Sequence, residues 1–138
     1  MKSRFSDIVK IRQLKVDSIE REIQREYGAI ESLKKEILHI ESEILKLSPP
    51  TSGHFSLIQQ YHIGISNMNR EIHQRETLIE QHFQKIVNLK ESLKSANMEV
   101  EKFKYLHDDE VRKVKEELKY KEQKDLDELA VLRFSFKK

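Results

Sequence analysis

The sequence contains no cysteine and no tryptophan among its 138 residues. The absence of thiols excludes a disulfide framework, a cysteine nucleophile and a zinc site built from cysteine. Glycine and proline are also scarce, with three and two residues, which excludes a collagen-like chain and favours long uninterrupted helices. Apolar residues make up 37% of the chain and charged residues 36%, a balance too polar for an ordinary compact core.

Basic and acidic residues are also nearly balanced in number. The chain has 26 basic and 24 acidic residues, so its net charge of +2 provides no global field that attracts nucleic acid. The longest uncharged run, residues 47–69, contains two prolines and many polar residues, so it is not expected to span a bilayer. The N-terminus lacks the apolar segment of a signal peptide. We therefore expect a cytoplasmic protein with no nucleic-acid partner and no direct membrane insertion.

One strong break interrupts the chain at the segment SPPTSG, residues 48–53. Because proline ends a helix at or before the residue that precedes it, the break separates two helical segments. Thr51 or Ser52 is a candidate cap for the second segment. The sequence thus predicts a single coiled-coil hairpin over 1–138, with a helix over 3–47, a turn over 48–53 and a helix over 54–133.

Apolar residues recur at spacings of three and four on both sides of this break. Before the break, the heptad positions are Val9, Val16, Ile23, Ile30, Ile37 and Ile44 at a, and Phe5, Arg12, Ile19, Glu26, Leu33, Ile40 and Leu47 at d. Eleven of these thirteen positions are apolar, which is typical of a coiled coil. The a row resumes after the break at Ile58 and runs to Val114. The polar seam residues Arg12, Glu26, His82 and His107 are expected to fix the register of pairing.

The two segments predict an all-α fold: a long antiparallel two-helix coiled-coil hairpin with unequal arms, in which the second helix overhangs the first. Centring the turn on residue 51 places Phe5 near Asn97 and leaves residues from about 103 onward without a partner helix. That overhang still carries apolar residues, and an unburied apolar stripe indicates a binding partner. The end near the loop is expected to bury its own apolar residues.

No residue pattern of a catalytic or metal-binding site emerges. The six histidines include no i, i+3 or i+4 pair that would present two ligands on one helical face. The acidic cluster Asp108, Asp109 and Glu110 points in three directions on a helix and is better explained as a solvated surface. The chain also lacks a glycine-rich phosphate loop and a scaffold for a catalytic triad. We therefore expect no enzyme activity, no metal and no cofactor.

The C-terminal segment carries a more specific signal. The string EQKDLDELA, residues 122–130, resembles the C-terminal signature of the FliJ family, a soluble component of the flagellar type III export apparatus. The matching positions are Gln123, Lys124, Asp127, Glu128 and Ala130. The chain length and the start at Arg4 and Phe5, followed by an apolar stripe, also resemble the family.

The resemblance implies a function as well as a fold. FliJ-like proteins are similar to the two-helix γ stalk of rotary ATPases, and their counterparts in virulence secretion form the YscO family. The resemblance implies that the terminal end enters the pore of the hexameric flagellar export ATPase and promotes assembly of the ring. It also implies a link between the ring, the cytoplasmic domain of the export-gate protein FlhA and the export chaperones.

We therefore expect a monomer or weakly self-associating stalk, peripheral at the inner-membrane base of the flagellum, that serves flagellar protein export and motility. The residues expected to contact the ATPase ring are Phe5, Ile8, Arg12, Gln123, Lys124, Leu126, Asp127, Glu128, Leu129, Ala130 and Arg133. Three alternatives stay open. They are the stalk of a virulence secretion system, a coiled-coil scaffold that dimerises through its exposed stripe, and an export chaperone that wraps its substrate.

Overall fold

Two long α-helices account for most of the described chain. The computed structural model describes residues 3–51 and 53–136. Helix α1 spans Ser6–Lys46 and helix α2 spans Phe55–Phe136, and the described residues contain no strand. The two helices form an all-α helical hairpin with unequal arms, which confirms the predicted fold class. That the whole chain forms one coiled-coil domain stays a prediction.

The loop between the helices follows the proline pair. Helix α2 begins directly after His54, whose carbonyl accepts a hydrogen bond from Leu57 N at 3.0 Å. Thr51, one of the two candidate caps, lies in a bend ahead of this helix, and Ser52, the other, lies outside the described residues. Gly53 has a φ of 141°, a backbone conformation that glycine adopts far more readily than residues with a side chain.

The chain divides into two compact units, which we describe separately. The loop unit comprises Asp17–Lys94, and the terminal unit comprises Met1–Val16 with Ser95–Lys138. The buried apolar side chains are Ile19, Ile23, Ile30, Ile40 and Ile86 in the loop unit, and Val16, Ala96 and Val100 in the terminal unit. Each of these side chains occupies a predicted a or d position, so the heptad assignment is confirmed wherever the helices bury apolar surface.

In the loop unit, polar side chains join α1 to α2 across an antiparallel pairing. His82 Nδ1 donates a hydrogen bond to Glu26 Oε2. Arg75 Nε donates to Glu36 Oε2 at 3.0 Å. Glu26 and Glu36 follow each other along α1, whereas their partners His82 and Arg75 come in the reverse order along α2. The two helices of this unit therefore run antiparallel. This contact fits the register role predicted for Glu26 and His82. Two polar residues in an otherwise apolar seam meet in only one alignment of the helices.

The predicted register is wrong by six residues or more in both units. Phe5 packs against Phe103 rather than near Asn97, and Glu26 pairs with His82 rather than with a residue near 76. The reason is visible at the start of α2, where residues 55–60 are all exposed. Centring the turn on residue 51 assumes that both helices pair as soon as they leave the loop, whereas these first residues of α2 bury nothing.

Candidate partner-binding surface

The start of α1 is fixed by reciprocal hydrogen bonds between two serines and the backbone. Phe5 N donates to Ser3 Oγ at 3.1 Å, and Ser3 N donates to Ser6 Oγ at 2.9 Å. This arrangement resembles a capping box, which satisfies backbone amides that the first turn of a helix leaves without partners. Ser3 Oγ also lies 2.5 Å from His107 Nδ1, so the cap ties the start of α1 to α2.

Aromatic contacts hold the first turns of α1 on α2 in the terminal unit. The ring centroids of Phe5 and Phe103 are 6.2 Å apart and tilted by 37°. The guanidinium carbon of Arg12 lies 5.7 Å from the Phe103 centroid, within range of a cation–π interaction. Phe5, Ile8 and Arg12, the three predicted ring contacts on α1, are therefore half-buried, and two of them are engaged with Phe103.

Charged side chains form a pairing network on α2 just beyond this contact. Asp109 Oδ1 accepts from Arg112 at 2.8 Å, and Asp109 Oδ2 lies 3.2 Å from Lys113 Nζ. The hydrogen bond from Arg112, with the one from Lys113, holds the pKa of Asp109 below its usual value. The hydrogen bond to Asp109 in turn raises the pKa of Arg112. Asp109 is thus neutralised by its own helix, whereas Glu110 Oε1 lies 3.8 Å from Arg4 Nε at the start of α1 and Glu110 Oε2 is buried without a hydrogen-bond partner among the described residues. Of the three acidic residues only Asp108 is fully exposed, so the solvated surface expected from the sequence is wrong for Glu110.

The remainder of α2 is fully exposed. Every described residue from 112 to 136, which we call the C-terminal overhang, is exposed to solvent. Six of its apolar side chains follow one side of the helix and form what we call the overhang stripe: Val114, Leu118, Leu126, Leu129, Leu132 and Phe136. Tyr120, Val131 and Phe134 are exposed on the other side. The prediction that residues from about 103 lack a partner helix is therefore wrong at its start, since side chains as far as Val111 are half-buried. The shifted register accounts for this difference.

All eight predicted ring contacts on α2 lie in the C-terminal overhang. They are Gln123, Lys124, Leu126, Asp127, Glu128, Leu129, Ala130 and Arg133, and each is exposed. At 100° per residue, Leu126, Leu129 and Arg133 share one side of the helix, while Lys124 and Asp127 lie on the opposite side. The signature therefore presents Leu126 and Leu129 on one side of the helix, where Glu122 and Asp125 interrupt the apolar surface, and only polar side chains opposite.

The structure does not bring the two groups of predicted contacts together. His107 lies beside Ser3 at the start of α1, and Gln123 follows it sixteen residues later in the same helix. At 1.5 Å per residue this separates the groups by at least ~24 Å along α2. Phe5, Ile8 and Arg12 form one surface of the terminal unit and residues 123–133 form another. Contact with a partner at either surface stays a prediction.

The loop unit presents an exposed apolar surface that the sequence analysis missed. We call it the loop-end patch, and its members are Leu45, Leu47, Phe55, Leu57 and Ile58. Leu45 is 86% exposed and Phe55 74% exposed, so the expectation that the loop end buries its own apolar residues is wrong. The signal for this patch was present in the sequence, because residues 47–69 contain no Lys, Arg, Asp or Glu.

These surfaces have neither the composition of a metal site nor that of a membrane-spanning helix in the described residues. Within residues 3–51 and 53–136, no cluster of three or more His, Asp or Glu side chains has the arrangement of a metal site. Within the same ranges, no helix is both long enough and apolar enough to cross a membrane. What the geometry offers is apolar surface on exposed helix, which suits binding to another protein.

Comparison with known protein families supports the resemblance seen at the C-terminus. The family model described as flagellar FliJ protein matches residues 1–138, which is the whole chain. The match therefore includes the helices of both units and is not limited to the short signature at residues 122–130. Neither the curated proteins nor the solved structures gave a match.

Proposed function

This chain belongs to the FliJ family of flagellar export components, and we propose that it acts as the coiled-coil stalk of the flagellar export ATPase complex. The stalk inserts its terminal end into the hexameric ATPase ring and promotes assembly of the ring. It couples the ring to the cytoplasmic domain of the gate protein FlhA and to export chaperones. It carries out no catalysis itself, and it works in the cytoplasm at the inner-membrane base of the flagellum.

The observation that supports the proposal most directly is the exposure of the overhang stripe. Leu126 is 62% exposed and Leu129 57% exposed, although both lie in the segment that resembles the family signature. An isolated helix gains little stability from intrinsic propensity, so an apolar side that faces only water favours a partner that covers it. A ring pore lined with apolar side chains provides such a cover.

The proposal is tested by a double substitution in the overhang stripe, Leu126→Asp with Leu129→Asp. We expect the variant to keep its helical circular dichroism spectrum, because both side chains are exposed and bury nothing in the fold. We also expect it to lose stimulation of ATP hydrolysis by the purified flagellar export ATPase and to lose co-migration with a hexamer-sized species. Full stimulation by the double variant would remove the overhang stripe from the mechanism.

The loop-end patch is the surface that we assign to the export gate. Four of its five apolar side chains lie in the segment 47–69, which has no formal charge, so an apolar surface on the FlhA cytoplasmic domain fits it better than a charged one. The variant Leu45→Asp with Phe55→Asp should lose binding to that domain and keep its stimulation of the ATPase. The overhang variant should show the reverse pattern, so each variant is the matched control for the other.

The family match also separates the flagellar function from one of its alternatives. The matched description is that of a flagellar protein, which favours flagellar export over a virulence secretion system. A strain that lacks the gene should lose motility. Normal motility together with a loss of effector secretion would support the virulence alternative instead. Capture of a flagellar structural protein in the absence of the ATPase would support the export-chaperone alternative.

A further inference from the structure

We infer that the C-terminal overhang pairs, antiparallel, with the overhang of a second copy of this chain. The overhang is divided into halves of opposite charge. Residues 112–121 carry five basic and two acidic side chains, whereas residues 122–132 carry one basic and four acidic ones. Antiparallel pairing places the basic half of each copy beside the acidic half of the other. Parallel pairing would place like charges side by side.

The apolar positions have the same symmetry as the charges. Val111 and Leu132 lie equally far from the midpoint between Lys121 and Glu122, and so do Val114 and Leu129. When two chains align about that midpoint, each of these side chains meets an apolar partner from the other copy, although Val111 lies one residue before the overhang; Leu118 faces Asp125 and Leu126 faces Glu117. A two-fold axis at this point gives a self-complementary contact, as closed dimers require. The three residues Lys121, Glu122 and Asp125 interrupt the apolar side at the centre, where the two halves of opposite charge meet.

The strength of this contact follows from its composition. Each overhang offers few apolar layers and a polar centre, so the pair is held in large part by charge. Exposed charge pairs contribute little individually and are screened by salt. The dimer should therefore form at high protein concentration and low ionic strength. The inference concerns the same surface as the proposed function, so a dimer keeps the overhang stripe covered until the ATPase ring displaces the second copy.

Sedimentation of the full chain with charge-exchanged variants tests the pairing. Lys115 faces Glu128 and Lys121 faces Glu122 in this alignment. Variant A carries Lys115→Glu and Lys121→Glu, and variant B carries Glu122→Lys and Glu128→Lys. The wild type should change from monomer to dimer with rising concentration, and each variant alone should dimerise at least about tenfold more weakly. An equimolar mixture of A and B should recover the dimer, because opposite charges again face each other. Wild type that stays monomeric at high concentration and low salt, or a mixture that stays monomeric, would overturn the inference.

A control variant separates this effect from a general change of charge. Lys34→Glu with Lys35→Glu adds the same charge as variant A at exposed positions of α1 in the loop unit. It should dimerise as the wild type does. A loss of dimer in this control equal to that in variant A would show that net charge, and not the overhang, decides association.

Cross-linking distinguishes the two orientations, because the natural chain has no cysteine that could react. A mixture of Val114→Cys and Leu129→Cys chains should cross-link mainly between the two variants. Cross-links mainly between two Val114→Cys chains would indicate a parallel pair and contradict the inference. Failure of this inference and failure of the proposed function remain distinguishable. Stimulation of the ATPase by a strictly monomeric chain would contradict only the inferred dimer. A dimer that does not bind the ATPase would contradict only the proposed stalk function.

Discussion

His82 Nδ1 donates a hydrogen bond to Glu26 Oε2, which joins two polar residues that each interrupt the apolar d row of their own helix. Both side chains are about one quarter exposed. A polar pair in an apolar seam is satisfied in one alignment only, since a shift of either helix leaves each group beside aliphatic side chains. The pair therefore selects the register of the loop unit at some cost in stability.

Removing one member of this pair should destabilise the loop unit, and removing both should restore it. Glu26→Leu or His82→Leu alone leaves a half-buried polar group without its partner, at a cost of about 1 kcal/mol. The double variant replaces the pair with an apolar layer and should be at least as stable as the wild type. Urea unfolding followed by circular dichroism measures all three free energies of unfolding. Arg75→Ala, at the ion pair with Glu36, is the control and should change stability by less than about 0.5 kcal/mol. Additive single effects would contradict the coupling.

Truncation of Ile30 should have one of the largest effects in the loop unit. Its side chain is 1% exposed, so Ile30→Ala removes buried apolar volume and leaves a cavity that the helix pair fills only in part. We expect a loss of about 2–4 kcal/mol in the free energy of unfolding. Leu38→Ala on the exposed side of the same helix is the control, and it should change stability by less than about 0.5 kcal/mol. Equal losses in the two variants would show that Ile30 is not in the core.

Removal of the Phe103 ring should release the start of α1 while the loop unit keeps its structure. Phe103→Ala removes the contacts of both Phe5 and Arg12. Amide hydrogen exchange of residues 6–16 should accelerate, because the first turns of α1 then open locally. Exchange in residues 23–40 should stay unchanged. Uniform acceleration along the whole of α1 would show that the contact stabilises the chain globally instead.

Two glycines should respond to alanine in opposite ways. A Cβ at Gly28 meets no atom within 4 Å, so Gly28→Ala should stabilise α1 by about 0.5–1 kcal/mol through helix propensity alone. At Gly53 the φ of 141° is unfavourable for alanine, and a Cβ would lie 3.0 Å from Leu57 Cδ1. Gly53→Ala should therefore lower the thermal midpoint, while Gly28→Ala raises it. Calorimetry of both variants measures the two shifts, and a shift of the same sign in both would contradict the prediction.

The heptad pattern predicted which side chains are buried, but it did not predict which residues face each other. The burial of a residue such as Ile30 or Val100 can be predicted from the heptad periodicity of its own helix, without knowing which residues lie opposite. Register depends on where pairing begins after the loop, and that point is set by loop geometry and not by composition. Residues 55–60 are apolar enough to continue the seam, yet they are exposed, and the predicted contacts are displaced by six residues or more.

The sequence predicted which candidate contact residues lie on the overhanging helix. It did not predict which of them lie near one another in the structure. The sequence placed the signature, residues 122–130, on the overhanging helix, and the structure has these residues exposed; that they contact a partner stays a prediction. Joining them to Phe5, Ile8 and Arg12 as one surface required the correct register. The loop-end patch escaped notice because Leu47 and Ile58 fit the heptad pattern and were expected to be buried. A pattern of this kind reports the tendency of a residue to be covered but says nothing of whether a partner helix extends that far.

The serine cap at the start of α1 has a mechanical consequence for the terminal unit. Beyond His107, which lies beside Ser3, α2 is the one helix among the described residues of the terminal unit. A lone helix with its side chains is about 10–12 Å across, and a pair is nearly twice as wide. A protein opening wide enough for one helix only would therefore not admit the part of the unit where the first turn of α1 packs on α2. In such an opening, the first turn of α1 would limit entry to the ~38 Å that residues 112–136 span.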